Sequence, residues 1–333
     1  MICELIPKIE LHRHLEGSLR LSTIYELAKR NGLDLPYDDE KRFQEYFQVS
    51  ETDERTLAQF LTKFIWLRQL LTDRDAISRV TYECVEDAAK DNTKYLEIRF
   101  NYSQLARRGF TDEDIIAAIS EGVQRGEKDY RIKVGLICGI SRELPQEDAT
   151  KTVEFAIRNQ KNGIVGLDLM NDERYEAKLF SSQYKKAKDA GLHLTAHAGE
   201  ACGPESIISA INDLHVERIG HGSHILDDPL ALELAKENNV LVECCLSSNV
   251  HTGAVTQLGN HPLLKLKAER VPFNLNTDDP GVSNISLIHE YGVAKEHFAF
   301  TKDDFIEMSN DTVNHIFRDD AKEWLRQELK KSI

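Results

Sequence analysis

The segment from Leu192 to Glu200 contains residue types suited to metal binding and proton transfer. Apolar and polar residues alternate up to His197, which predicts a strand with this histidine at its carboxyl end. A histidine can ligate a metal ion, and Glu200, three residues later, can carry a proton. Such a pair is more often structural when it occurs alone, so its interpretation depends on the rest of the chain.

A second candidate pair lies near the start of the chain, where Lys8–His14 also reads as a strand. His12 and His14 are two residues apart, so both side chains point to the same face of that strand. Two imidazoles on one face can hold one metal ion together. A His-x-His pair alone is also more often incidental than metal-binding.

These residues can act together only in a fold that brings the ends of distant strands close to one another. The apolar patterns predict eight strands, at residues 8–14, 94–100, 132–138, 163–169, 192–197, 217–222, 240–246 and 271–277. Each predicted strand is followed by at least one predicted helix, which favours a TIM (β/α)₈ barrel with additional helices over a doubly wound sheet. We find no low-complexity linker, so we expect a single domain over residues 1–333.

One region departs from this alternation. Residues 34–56 are polar and acidic with scattered aromatic residues, and we expect an excursion here rather than a core element. The apolar residues that follow are spaced by 3, 1 and 3, which predicts one face of a helix: Leu57, Phe60, Leu61 and Phe64. This apolar face could pack on the core or line a ligand pocket.

Composition limits the class of partner. Hydrophobic residues make up 41% and charged residues 29% of the chain, as in soluble globular proteins. The net charge of −14 disfavours a nucleic-acid surface, because phosphate binding requires clustered Lys and Arg. No apolar run approaches the ~18 residues of a membrane span. We therefore expect a small-molecule substrate, no nucleic acid and no membrane; nothing in the sequence indicates an oligomeric state.

The cysteines and the amino terminus bear on the compartment. The six cysteines form no Cys-x-x-Cys pattern, which disfavours a zinc ribbon, a redox motif or a secreted disulfide framework. The first residues include Glu4 and no long apolar core, unlike a signal peptide. These features predict a cytoplasmic protein.

In a barrel of this type all strand ends meet at one mouth. The first strand would bring His12 and His14 there, the fifth His197, and the segment after the eighth Asp278. Three imidazoles and one carboxylate suit zinc and leave a position for water, whose pKa zinc lowers to about 7. Together, the four residues predict one zinc ion per chain.

Three more strand-end residues would surround that ion. Glu200 is placed to carry a proton to the substrate and the leaving group, and His221 to orient the attacking hydroxide. Asp279 is free to bind substrate. Alternatively, His221 is a buried hydrogen-bonded histidine and Asp279 caps the turn at Pro280–Gly281.

Several segments together carry a family resemblance, in matching order and spacing. They are Lys8–Ser18, His197–Glu200, Arg218–Gly222 and Asn276–Pro280. These segments resemble the signature segments of the adenosine deaminase family, and the likeness extends over nearly the whole chain. It implies a zinc-dependent hydrolase of purine salvage that converts adenosine, and 2′-deoxyadenosine, to inosine products and ammonia.

The resemblance also implies roles for individual residues. The zinc ligands would be His12, His14, His197 and Asp278. The catalytic residues would be Glu200, His221 and Asp278, with Glu200 protonating the ring nitrogen next to C6. The purine nucleoside would be bound by His14, Glu16, Asn171, Asp279, Leu57, Phe60, Leu61 and Phe64.

Three positions depart from the family pattern where the purine edge and sugar are expected. Glu16 replaces an aspartate, Asn171 replaces a glycine, and Asn101 follows Phe100 where the family tends to have serine. They leave open, as the alternative, deamination of a different 6-aminopurine nucleoside, such as a 5′-substituted adenosine, or of adenine.

Three other functions can be weighed against this one. A two-metal amidohydrolase would require a ligand that bridges the metals, such as a lysine at the end of the fourth strand, but residues 168–173 contain no lysine. A catalytically silent binding barrel would release no ammonia. A cytidine-deaminase site is excluded, because it needs a Pro-Cys dipeptide that this chain lacks.

Overall fold

The computed structural model describes residues 2–331 and shows eight parallel strands in one sheet. The strands are β1 Lys8–His14, β2 Thr93–Phe100, β3 Lys133–Ser141, β4 Ile164–Met170, β5 His193–Ala198, β6 Arg218–His221, β7 Leu241–Cys244 and β8 Phe273–Leu275. Each strand pairs with the next in chain order, from β1 to β8. The predicted (β/α)₈ barrel is confirmed.

Helices follow every strand. They are α1 Ile2–Leu5, α2 Leu21–Arg30, α3 Glu40–Phe47, α4 Leu57–Thr62, α5 Phe64–Leu67, α6 Arg74–Lys90, α7 Tyr102–Arg107, α8 Asp112–Asp129, α9 Gln146–Arg158, α10 Ser181–Asp189, α11 Pro204–Leu214, α12 Pro229–Glu237, α13 Leu246–His251, α14 Leu263–Glu269, α15 Pro280–Ser283, α16 Leu287–Phe298, α17 Lys302–His315 and α18 Lys322–Lys330. None of these helices is both long and apolar enough to cross a membrane.

The expectation of an excursion without a core element at residues 34–56 is wrong in part. This segment contains α3, whose Phe43 and Phe47 are buried in the core. The apolar face predicted to follow it is divided between two short helices, α4 and α5, separated by Lys63. A period of 3.6 residues detects the shared face but not the interruption within it.

A side chain helps to close the barrel between β8 and β1. The Oδ1 of Asn276 accepts hydrogen bonds from the main-chain N–H groups of Leu11 (2.7 Å) and His12 (3.1 Å). Two residues later, Asp278 donates its N–H to the His12 carbonyl at 3.0 Å and accepts from the His14 N–H at 2.8 Å. The first strand end and the segment after β8 are thereby joined, which places their side chains at one point.

The barrel interior beneath the mouth contains buried charges instead of a purely apolar filling. Five fully buried side chains carry them: Glu97, Arg99, Asp168, Arg218 and Glu243. Arg218 contacts both Glu97 and, at 2.8 Å, Glu243, while Arg99 contacts Asp168 and Glu243. Buried charges persist only when paired in this way, and breaking one pair would leave a costly lone charge.

Candidate active site

The four predicted metal ligands converge at the carboxyl ends of the strands. The Oδ1 of Asp278 lies 3.2 Å from the Nε2 atoms of both His12 and His14. The Nε2 of His14 lies 3.2 Å from that of His197. The structure thus brings all four side chains together, although binding of a metal by them remains a prediction.

The donor atoms of this cluster fit a metal ion. The Nε2 of His12 is buried and has no hydrogen-bond partner among the described residues, although it points into the cluster. Ligand atoms of His12, His197, His221 and Asp278 all lie within 4.8 Å of one another. A set of imidazole nitrogens with one carboxylate oxygen suits zinc, and a bound cation would give the unpartnered nitrogen its missing contact.

Buried carboxylates orient two of the histidines. The Nδ1 of His12 lies 2.7 Å from Glu243 Oε2, and the Nδ1 of His197 lies 3.1 Å from Asp168 Oδ1. A carboxylate only accepts, so in each ring the proton sits on Nδ1 and Nε2 is left bare. Carboxylate–histidine pairs of this kind are usual behind protein metal ligands.

One guanidinium joins those two carboxylates. Arg99 donates from Nη1 to Asp168 at 2.7 Å and from Nη2 to Glu243 at 2.8 Å. Burial alone would raise the pKa of Glu243, but Arg99 and Arg218 hold it below its usual value. Glu243 is therefore ionised when it accepts from His12.

We expect Arg99→Lys to weaken metal binding by about 10- to 100-fold, as other losses behind metal ligands do. A lysine ammonium is a single point of charge and cannot reproduce the two separate donors that reach Asp168 and Glu243. Competition with a chelator of known affinity measures the effect, with the exposed Arg326→Lys as the matched control. Equal affinities in the two variants would contradict the bridging role of Arg99.

Glu200 sits on a turn that another carboxylate holds. Glu173 accepts hydrogen bonds from the N–H groups of Gly199 (2.9 Å), Glu200 (2.8 Å) and Ala201 (2.9 Å). The Glu200 carboxyl is buried, and its Oε2 lies 3.5 Å from the Nε2 of His221. The two predicted proton-handling groups are therefore neighbours at the edge of the metal cluster.

The surroundings of Glu200 favour its neutral form. Burial, together with the negative charges of Asp278 and Glu173, raises the pKa of Glu200 well above its usual value. Burial alone would also raise the pKa of Asp278, but the adjoining imidazoles of His12, His14 and His221 hold it well below its usual value. One acid is thus held protonated beside another that is held ionised, which is the separation that acid–base chemistry requires.

Asp279 lies against the loop that follows β1. Its Oδ1 is buried without a hydrogen-bond partner among the described residues. Burial and the charge of Asp278 raise the pKa of Asp279 well above its usual value, so its carboxyl is a potential donor. A Cβ on Gly17 would lie 1.7 Å from Asp279 Oδ1, so only glycine fits at that position.

The three departures from the family pattern form part of one hydrogen-bonded group. Glu16 Oε1 accepts from the Asn101 N–H at 2.8 Å, and the Asn101 side chain donates to Ser141 Oγ at 2.7 Å. Asn171 donates to the same Ser141 Oγ at 3.1 Å and to Glu143 Oε1 at 2.9 Å. The φ of Asn171 is +73°, a left-handed conformation that asparagine tolerates better than most non-glycine residues. Asn171 thus adopts the conformation that a glycine would allow, with its side chain held by the β3 segment.

The predicted apolar face lies on α4 and α5. Phe60 and Phe64 are buried with ring centroids 6.0 Å apart, while Leu57 and Leu61 are half-buried. Both aromatic rings belong to the main hydrophobic core. The contact of this face with a bound sugar stays a prediction.

The groups that support the site were not predicted from the sequence. Arg99, Asp168 and Glu243 orient the histidines, Glu173 holds the turn of Glu200, and Ser248 Oγ donates to Asp278 Oδ2 at 2.6 Å. A signal for some of them was present. A charged residue inside an apolar strand, such as Glu243 in β7, must find a buried partner.

A parallel barrel whose mouth gathers histidines, an ionised aspartate and a protonated glutamate is typical of metal-dependent hydrolases. The adenosine deaminase profile matches residues 7–332. An adenosine deaminase of Shewanella loihica is 38% identical over 324 residues, covering 97% of each chain. The chain therefore belongs to the adenosine deaminase family, and the resemblance drawn from its sequence segments is confirmed.

Solved structures show the same likeness. The adenine deaminase of Arthrobacter aurescens has a TM-score of 0.89 and 26% identity, covering 98% of both chains. An amidohydrolase from Burkholderia ambifaria, solved with bound Zn, has a TM-score of 0.88 and 26% identity, covering 99% of this chain and 92% of that one. The fold is thus shared with an adenine deaminase and with an amidohydrolase that was solved with bound Zn.

Proposed function

We propose that this chain is a hydrolytic deaminase that converts adenosine and 2′-deoxyadenosine to their inosine products and ammonia, with one zinc ion per chain. The observation that carries the proposal is the convergence of His12, His14, His197 and Asp278 beside a protonated Glu200. The relative at 38% identity named as an adenosine deaminase supports the nucleoside as substrate.

The metal would be held by His12, His14, His197 and Asp278. Zinc is supported by this donor set and by the Zn-bound relative. When bound, zinc supplies a Lewis acid that lowers the pKa of a water molecule to about 7.

Two carboxyl groups then divide the proton transfers. Glu200, held neutral, donates its proton to the ring nitrogen N1, which makes the neighbouring C6 electrophilic. Asp278, held ionised, accepts the proton of the attacking water at a carboxylate oxygen. Asp278 then passes that proton to the leaving amino group, which departs as ammonia, while Glu200 takes back a proton from the C6 hydroxyl as the carbonyl forms.

Two hydrogen-bond donors are assigned to orient the purine edge of the substrate. The protonated Asp279 donates from its unpartnered Oδ1 to a nitrogen acceptor of the five-membered ring. The main-chain N–H of Asn171 offers a second donor, because the side chain is bound to Ser141 and Glu143. Glu16 and the apolar residues of α4 and α5 would contact the sugar.

Ammonia release from a panel of 6-aminopurines tests the proposal directly. The panel compares adenosine, 2′-deoxyadenosine, a 5′-substituted adenosine, adenine and AMP with the zinc-loaded protein. We expect the two nucleosides to give the highest kcat/KM. A higher value for adenine or the 5′-substituted adenosine would transfer the assignment to the alternative substrate, and no release from any compound would refute the deaminase.

A further inference from the structure

A buried hydrogen-bond chain, formed by His221, Asn249 and His261, leads away from the candidate active site. The Asn249 Nδ2 lies 2.9 Å from the Nδ1 of His221. The Nε2 of His261 lies 3.2 Å from Asn249 Oδ1, and the Leu263 N–H donates to the Nδ1 of His261 at 3.2 Å. The side chains of all three residues in this hydrogen-bond chain are buried, so water does not compete for these bonds.

The main-chain N–H of Leu263 fixes which atom donates and which accepts in every bond of this hydrogen-bond chain. A main-chain N–H can only donate, so the Nδ1 of His261 must accept and the ring carries its proton on Nε2. Burial lowers the pKa of His261 to about 3, so the ring is neutral. Its Nε2–H then donates to Asn249 Oδ1.

The orientation of the Asn249 amide follows from that bond. The opposite orientation would place the amide NH₂ against the Nε2–H of His261, two donors facing each other. The amide NH₂ therefore points at His221 and donates to its Nδ1. Since Nδ1 accepts, a neutral His221 carries its proton on Nε2, the nitrogen that lies 3.5 Å from Glu200 Oε2.

We propose that Asn249 and His261 are positioning residues that keep the proton of His221 on Nε2, so that His221 acts as a hydrogen-bond donor at the reaction centre. This inference rests on the proposed deaminase function for its catalytic consequence. It assigns His221 neither to the metal ligands nor to the general bases, because a protonated Nε2 has no free lone pair.

The neighbouring rings show why such a device matters. The centroid of the His221 ring lies 4.8 Å from that of His12 and 5.0 Å from that of His197, so by position alone it could join them around an ion. His12 and His197 face carboxylates at Nδ1 and keep Nε2 bare, whereas His221 faces an amide donor at Nδ1. Opposite tautomers in one cluster separate metal-binding histidines from a donating one.

Two variants at His261 test the chain without touching the site itself. His261→Phe keeps the ring volume but removes the donor to Asn249, and we expect kcat to fall about 10-fold or more with KM and zinc content unchanged. His261→Gln restores an amide N–H near the position of Nε2, and we expect it to recover most of that loss. Equal kcat in the wild type and His261→Phe would overturn the proposal.

Asn249→Asp reverses the direction of the hydrogen bond to His221. The new carboxylate accepts from His221, which draws the proton to Nδ1 and removes the donor at Nε2. We expect kcat to fall by roughly 10²-fold, as for loss of a preorganised donor. Wild-type kcat in this variant would contradict the donor role.

The tautomer itself can be observed without substrate. Two-bond ¹H–¹⁵N correlations of histidine-labelled, zinc-loaded protein distinguish Nε2–H from Nδ1–H rings, and the His221 signals are identified by their loss in His221→Gln. We expect the Nε2–H pattern in the wild type and the Nδ1–H pattern in Asn249→Asp. An Nδ1–H pattern in the wild type would overturn the proposal. The Nε2–H pattern in a protein that deaminates no 6-aminopurine would support the positioning role and refute the deaminase instead.

Discussion

Replacing Glu200 by glutamine is expected to lower kcat by about 10³-fold while the protein keeps its metal. Glutamine has nearly the same shape as a protonated glutamate but no proton to transfer to the purine ring. Glu200 is not among the predicted ligands, and its Oε2 lies 3.5 Å from His221, which is not a predicted ligand either. Steady-state kinetics with adenosine and metal analysis of the same sample measure the two effects together.

The exposed Glu237→Gln on α12 is the matched control, since it makes the same chemical change far from the mouth. It should leave kcat unaltered. A Glu200→Gln protein with near-wild-type turnover would refute the role of Glu200 as proton donor. A protein that lost its metal would instead place Glu200 among the groups that hold the ion.

The same variant has a consequence for stability. In the folded protein Glu200 stays protonated above its usual pKa, whereas in the unfolded chain it ionises at ordinary values. Above the unfolded-state pKa of Glu200, unfolding therefore releases a proton. The contribution of Glu200 then lowers the free energy of unfolding further as the pH rises. Glutamine removes that term, and we expect Glu200→Gln to melt at or above the wild-type temperature at pH 8.

Much of the barrel was predictable because its signals are local. Alternating apolar residues ending in His12 and His14, or in His197, indicate a strand end with potential ligands. Asp278 follows the last strand and joins them only because the barrel closes, which the regular alternation of strands and helices already implied.

The supporting groups could not be assigned in the same way. Glu243 contacts His12 across 231 positions of sequence, and His197 contacts Asp168 on the neighbouring strand β4. Which inward-facing charged residues contact one another depends on the strand register and on the tilt of the strands in the barrel. Neither can be read from a single sequence. The direction of the Asn249 amide depends further on one main-chain N–H beyond it, that of Leu263.

Removal of one predicted ligand should have the largest effect on the metal. We expect His197→Ala to lose most of its bound zinc during purification and to lower kcat/KM by at least roughly 10³-fold, because the metal contributes several kcal/mol to the reaction. The Nε2 of His197 lies 3.2 Å from that of His14, and its Nδ1 is fixed by Asp168, so the substitution removes an oriented nitrogen from the cluster.

The same strand supplies the control. His193 begins β5 at the opposite end of the barrel, where it bonds to Glu217 and stacks on Phe317. His193→Ala removes an identical side chain from the same strand, so it should lower the melting temperature modestly and leave one zinc per chain. If His197→Ala retained full zinc and activity, the ion would not lie among the strand-end histidines. The proposed hydrolysis would then lack its metal centre, whatever the protein's family.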